Sequence, residues 1–98
     1  MKPIQAEEFK KMDDKEGLIV LFYIQRTSPC RKFIKRLETM DLEVRKMNLD
    51  SNALFCQDLE IKAVPTLIKF DEEGEPEVWK TGSLSKDEVK KYFIEGKE

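Results

Sequence analysis

Seven consecutive apolar residues, Leu18-Ile19-Val20-Leu21-Phe22-Tyr23-Ile24, constrain this chain more than any other stretch. The run is rich in β-branched and aromatic residues, the pattern of a central strand covered on both faces. It is far shorter than the roughly 20 residues that a membrane span needs. A strand buried on both sides requires layers above and below it, and the next residues begin to supply them. Gln25-Arg26-Thr27-Ser28-Pro29-Cys30 is short and polar and leads into an amphipathic helix. Cys30, Phe33, Ile34, Leu37 and Met40 share one face of that helix, while Arg31, Lys32, Lys35 and Arg36 take the other. Thr27 or Ser28 is placed to cap it, and Pro29 suits its first turn.

The rest of the chain repeats this alternation. Lys2–Gln5 reads as a short edge strand and Ala6–Met12 as a short helix with Phe9 and Met12 on one face. Leu42–Leu49 alternates apolar and polar residues, with one slip, as a second strand. Asp50 or Ser51 is expected to cap a short helix running to about Leu59. Pro65–Phe70 is a third central strand, Asp71–Pro76 a glycine-containing hairpin turn, and Glu77–Thr81 the returning strand. Ser85-Lys86-Asp87-Glu88 is a capping box, followed by a helix with Val89, Tyr92 and Phe93 inward. The order β-α-β-α-β-α-β-β-α implies an α/β fold with a mostly parallel sheet, right-handed crossovers and an antiparallel hairpin at the end. No linker or repeat interrupts it, so residues 1–98 form a single domain.

Composition narrows the function. Lys and Arg number 18 against 20 Asp and Glu, so the net charge of -2 draws the chain to neither nucleic acid nor an anionic membrane. The N-terminus has no apolar leader core, and a cytoplasmic location is expected. There are two cysteines and no histidine. His-based triads are thereby excluded, and two thiols alone argue against a zinc site. No metal or cofactor is expected. Two cysteines in such a chain read as free or catalytic thiols more than as a disulfide framework.

Three stretches together resemble thioredoxin. Leu18–Cys30 is similar to that family's central strand leading into Trp-Cys-Gly-Pro-Cys. Ala63-Val64-Pro65-Thr66-Leu67 resembles the segment Ile-Pro-Thr-Leu, whose proline is cis in the family. Thr81-Gly82-Ser83-Leu84-Ser85-Lys86 resembles the glycine turn before the last helix. The resemblance implies a thioredoxin fold, a central mixed sheet with helices on both faces and an antiparallel C-terminal hairpin. The departures bear on chemistry. Pro29 and Cys30 match the end of the motif, but Thr27 stands in place of the nucleophilic cysteine, Ser28 replaces glycine and Arg26 replaces tryptophan. Leu21 stands where many thioredoxins keep a buried aspartate.

Dithiol exchange needs an attacking thiolate and a resolving thiol. A threonine hydroxyl does not ionise near neutrality, and no histidine is present to activate it. A full two-thiol cycle is therefore excluded at Thr27–Cys30. Two functions remain. In the first, Arg26, Ser28, Pro29, Val64, Pro65, Thr81 and Gly82 form a surface that binds an extended peptide or protein partner. In the second, Cys30 is a lone redox thiol, its pKa lowered by the helix start and by Arg26 and Arg31, forming mixed disulfides or reacting with peroxide. Against this second function stands the plainer reading of Cys30, which is favoured: a small buried residue packed under the helix start, where burial blocks access. The spacing of Thr27 and Cys30 also resembles the Thr-x-x-Cys of peroxiredoxins, although Tyr23 stands where that motif has proline. Cys56 reads as a core residue near Leu54, Phe55 and Leu59, and the resemblance implies that its helix and that of Cys30 cover opposite faces of the sheet, too far apart for a disulfide between them. Trp79 reads as a packing residue with one exposed edge. The basic residues Arg31, Lys32, Lys35 and Arg36 read as a solvated face, with an acidic partner as the second reading. The expected state is a monomer.

Overall fold

Every residue of the central strand β2 (Ile19–Tyr23) is buried, and its alternation divides the molecule into two cores. Ile19, Leu21 and Tyr23 point to one side. There they pack with Cys30, Phe33 and Leu37 of helix α2 (Ser28–Glu38) and with Val89 and Phe93 near the C-terminus. Val20 and Phe22 point to the other side, among Ile4, Phe9, Met47, Cys56, Ile68 and Phe70. Fully burying each large apolar side chain stabilises the fold by roughly 1.5–3 kcal/mol. The computed structural model describes residues 1–96. Its remaining elements are β1 (Lys2–Pro3), α1 (Ala6–Lys11), β3 (Arg45–Asn48), α3 (Ala53–Asp58), β4 (Thr66–Phe70), β5 (Pro76–Thr81) and α4 (Lys86–Val89), which continues through a π-helical turn, Lys90–Ile94. No described helix is long and apolar enough to cross a membrane.

The five strands lie in the order β1-β3-β2-β4-β5. β1 with β3 and β3 with β2 are parallel; β2 with β4 and β4 with β5 are antiparallel. The sheet is thus mixed, with helices α2 and α4 on one face and α1 and α3 on the other. It is less parallel than the helix–strand alternation implies, and helix length gives the reason. The 11 residues of α2 span about 16 Å, enough to carry the chain back along the sheet before β3. The 6 residues of α3 span only about 9 Å, so the chain enters β4 at the end where β3 left off and runs the other way.

Three local expectations are corrected. The second strand pairs only over Arg45–Asn48, because Leu42 and Val44 pack against the α2 core before the ladder begins. The residue capping α3 is Asn52 rather than Asp50 or Ser51, and its side chain makes no cap bond. The Asn52 amide instead serves the start of α1. Its Oδ1 accepts from the Ala6 N–H at 2.9 Å, and its Nδ2 donates to Gln5 Oε1 and the Asn48 carbonyl. Finally, Thr27 occupies the position before α2, but its hydroxyl turns back to donate to the Ile24 carbonyl at 3.0 Å and caps nothing. The Ser85–Glu88 capping box forms with both of its bonds. Trp79, 37% exposed, lies opposite Ile68 on β5.

Candidate functional site

The strand register brings the motif and its companions to one end of the sheet. Tyr23 pairs with Asn48 and Phe22 with Thr66, so the residues after β2 and those before β4 leave the sheet together. In the first of these segments Thr27 anchors itself on Ile24 through both its N–H (3.2 Å) and its hydroxyl (3.0 Å). Ser28 and Pro29 are exposed in the first turn of α2. One residue later the helix turns inward, and Cys30 is 0% exposed within the core cluster that contains Leu21.

The second segment is Ala63–Pro65. The Val64–Pro65 peptide bond is cis. Val64 is half-buried and packs on the same cluster as Cys30. Among the described residues its N–H and C=O have no hydrogen-bond partner, whereas the carbonyls of Ala63 and Pro65 on either side do. Thr66 Oγ1 donates to the Ala63 carbonyl at 2.7 Å and lies 3.3 Å from Thr81 Oγ1. The Gly82 N–H donates to the Pro65 carbonyl at 2.8 Å, joining the third segment to the second. Gly82 has φ +100, and an added Cβ would meet nothing within 4 Å, so the backbone conformation alone calls for glycine there.

Arg36 completes the assembly. From the middle of α2 its Nη1 donates to Ser83 Oγ at 3.0 Å and to the Leu84 carbonyl. This corrects the view of Arg36 as part of a solvated face; it ties α2 to the glycine turn. The basic residues beside Cys30 are engaged as well. Arg26 pairs with Asp50 at 2.8 Å. With side chains 73% and 55% exposed, that pair contributes at most about 1 kcal/mol. Arg31 Nη1 donates to the carbonyls of Arg26 (2.9 Å) and Gln25 (3.4 Å), fastening the loop rather than meeting an anion. The roles of Asn52, Arg31 and Arg36 have no sequence signal, because each depends on a loop brought close only by the fold.

Two free thiols are present, both buried, in the two separate cores. Burial pushes the Cys56 thiol up to about 11, well away from thiolate chemistry near neutrality. No group of three His, Cys, Asp or Glu side chains suited to a metal occurs among the described residues. Hollows of about 530 Å³ and 350 Å³ flank α3, and neither is lined by Thr27, Cys30, Pro65 or Gly82. The assembled surface lies apart from both hollows. It offers backbone groups, small polar side chains and a buried thiol beneath them.

Known proteins agree with this architecture. The thioredoxin family model matches residues 1–95. A thioredoxin from Chlamydia pneumoniae is 29% identical over 80 residues, covering 76% of this chain and 78% of that protein. Among solved structures, Fasciola hepatica thioredoxin superposes with a TM-score of 0.82 at 20% identity, covering 99% of this chain and 100% of its own. Malassezia sympodialis thioredoxin gives 0.82 at 18% identity, covering 98% and 90%. These structural likenesses extend over the whole sheet and its helices, and the family model spans all three segments of the site. With the two cores, the strand order and the segments around Cys30, Pro65 and Gly82 in place, the chain belongs to the thioredoxin family.

Proposed function

We propose that this thioredoxin-family protein binds an extended segment of a partner protein and does not run a dithiol–disulfide cycle. One observation carries the binding half. The N–H and C=O of Val64 are unpartnered at the edge where the three segments meet, while Pro65 and Ala63 have their carbonyls occupied. A partly exposed backbone with both groups free is suited to pairing with a strand supplied from outside. The chemistry at the motif supports the other half. The position of an attacking thiol holds Thr27, whose hydroxyl is already committed to Ile24, and Cys30 lies beneath the surface.

Insulin reduction in the presence of dithiothreitol tests the reading. The wild-type protein is expected to add nothing to the rate of dithiothreitol alone, while Thr27→Cys gains measurable activity. Wild-type turnover at the rate of an ordinary thioredoxin would overturn the reading. Native protein incubated with glutathione disulfide and weighed intact provides a second check. An adduct at Cys30 would shift the assignment to a monothiol redox protein.

A further inference from the structure

We propose that the segment bound at this edge is acidic, an inference that rests on the peptide-docking reading above. The net charge of -2 conceals a steep separation of charge along the sheet. Between Glu16 and Glu38 the chain carries five cations and no carboxylate, and that stretch contains the motif loop and α2. Between Asp71 and Glu77 it carries five carboxylates and no cation. The strand register places these two stretches at opposite poles. The motif loop follows β2 at the end where Phe22 meets Thr66, whereas Asp71–Glu77 connects β4 to β5 beyond the pair Phe70–Pro76. Asp13, Asp14, Asp41 and Glu43 lie on the connections leading into β2 and β3, which places them at the acidic pole too.

The positive pole is available to a partner. Arg26 is the one cation of the 17–37 stretch with a carboxylate partner among the described residues. Arg31 is satisfied by neutral carbonyls, which leaves its charge in place. Among the described residues Lys32 and Lys35, exposed on α2, make no ion pair, and Lys86 is exposed at the start of α4, just beyond Gly82. A strand laid along Val64 and Gly82 therefore has Lys32, Lys35 and Lys86 on its flanks, set against the exposed Asp87 and Glu88 that follow Lys86 on α4, and the main acidic pole lies at the far end of the molecule. Such a field orients an incoming acidic segment with its charge toward the docking edge and turns a basic one away.

The test uses three labelled octapeptides that share a Val-Leu centre. Their flanks are Glu and Asp in the first, Gln and Asn in the second, and Lys in the third. Fluorescence anisotropy is read at low and high salt. The acidic peptide is expected to bind about tenfold more tightly than the neutral one at low salt, as some three exposed charge pairs allow, and most of that advantage is expected to vanish at high salt. Lys32→Glu, checked for an unchanged circular dichroism spectrum, should weaken the acidic peptide severalfold. Equal binding of acidic and neutral peptides would overturn the charge inference and leave the docking reading intact. Binding of none of the three would overturn the docking reading itself. Binding of an oligothymidylate of matched charge as tightly as the acidic peptide would assign the pole to polyanions in general and likewise refute the inference.

Discussion

Leu21 occupies the position where many thioredoxins, by resemblance, keep a proton-carrying carboxylate, and the surroundings of Leu21 set the cost of restoring one. The residue is 0% exposed, in the middle of a five-residue strand whose every side chain is buried. It clusters with Cys30, Phe33, Leu37 and Leu67, and the one cation beside it is its register partner on β3, Lys46, whose ammonium lies over the Tyr23 ring instead. Replacing Leu21 by Asn removes apolar packing and costs about 2–5 kcal/mol at any pH. Leu21→Asp adds a second, pH-dependent cost. An unfolded aspartate titrates near 3.9, and burial of this kind raises a carboxyl pKa by about three units or more. The folded state then retains the proton that the unfolded state has lost. The sign follows directly: Asp matches Asn below about pH 4 and loses about 1.4 kcal/mol per unit as pH rises, until the folded-state carboxyl ionises. By pH 7 the difference reaches about 4 kcal/mol. With urea m-values of about 1–3 kcal/mol/M for small domains, the midpoint of Leu21→Asp should fall about 2 M below that of Leu21→Asn, or the variant should already be unfolded. Urea titrations of both variants at acidic and neutral pH measure this. Superimposable midpoints at both pH values would refute the reasoning, because they would mean that water or the Lys46 ammonium reaches position 21.

Other outcomes follow from single contacts. Asn52→Ala should cost about 2–3 kcal/mol in urea unfolding, since it strands the Ala6 N–H and the Asn48 carbonyl in a partly buried site; a loss below 0.5 kcal/mol would show that water replaces the amide. Gly82→Ala should cost about 1–2 kcal/mol through its positive φ alone, because the new methyl meets nothing; an unchanged midpoint would show that the turn relaxes freely. Neither thiol should react with Ellman's reagent at neutral pH in the native state, and both should react in guanidinium chloride. Prompt native labelling of Cys56 would contradict a thiol held near 11 by burial.

The elements with the clearest periodicity were the most legible in the sequence. β2 announces itself as seven apolar residues, α2 as a stripe ending at Met40, and α4 by the box at Ser85. The companions of the motif could be named because Pro65 and Gly82 sit in short, recognisable contexts. What stayed hidden depended on distance in space. The antiparallel entry of β4 follows from the shortness of α3, which a run of mixed residues between Ser51 and Leu59 does not reveal. The sequence does not single out Asn52 at the start of α3, because Asp50 and Ser51 are equally good caps by residue type and the contacts of Asn52 with α1 arise only in the fold. The basic face of α2 looked uniform, yet Arg36 crosses to the glycine turn while Lys32 and Lys35 stay in solvent. Burial of Cys30, by contrast, is legible in the sequence, since it shares the apolar face of α2 with Phe33, Ile34 and Leu37, and the fold leaves it 0% exposed.

The division of β2 between two cores also governs when its neighbours can be reached. A strand that contributes alternate residues to both faces cannot separate from one layer without leaving the other. Global opening is therefore the expected route by which the underside of α2 is bared. Under those conditions Cys30 acts as an internal clock. Its rate of labelling in the absence of denaturant should track the population of globally unfolded chains, so a variant that loosens β2 is expected to speed labelling at a residue several contacts away.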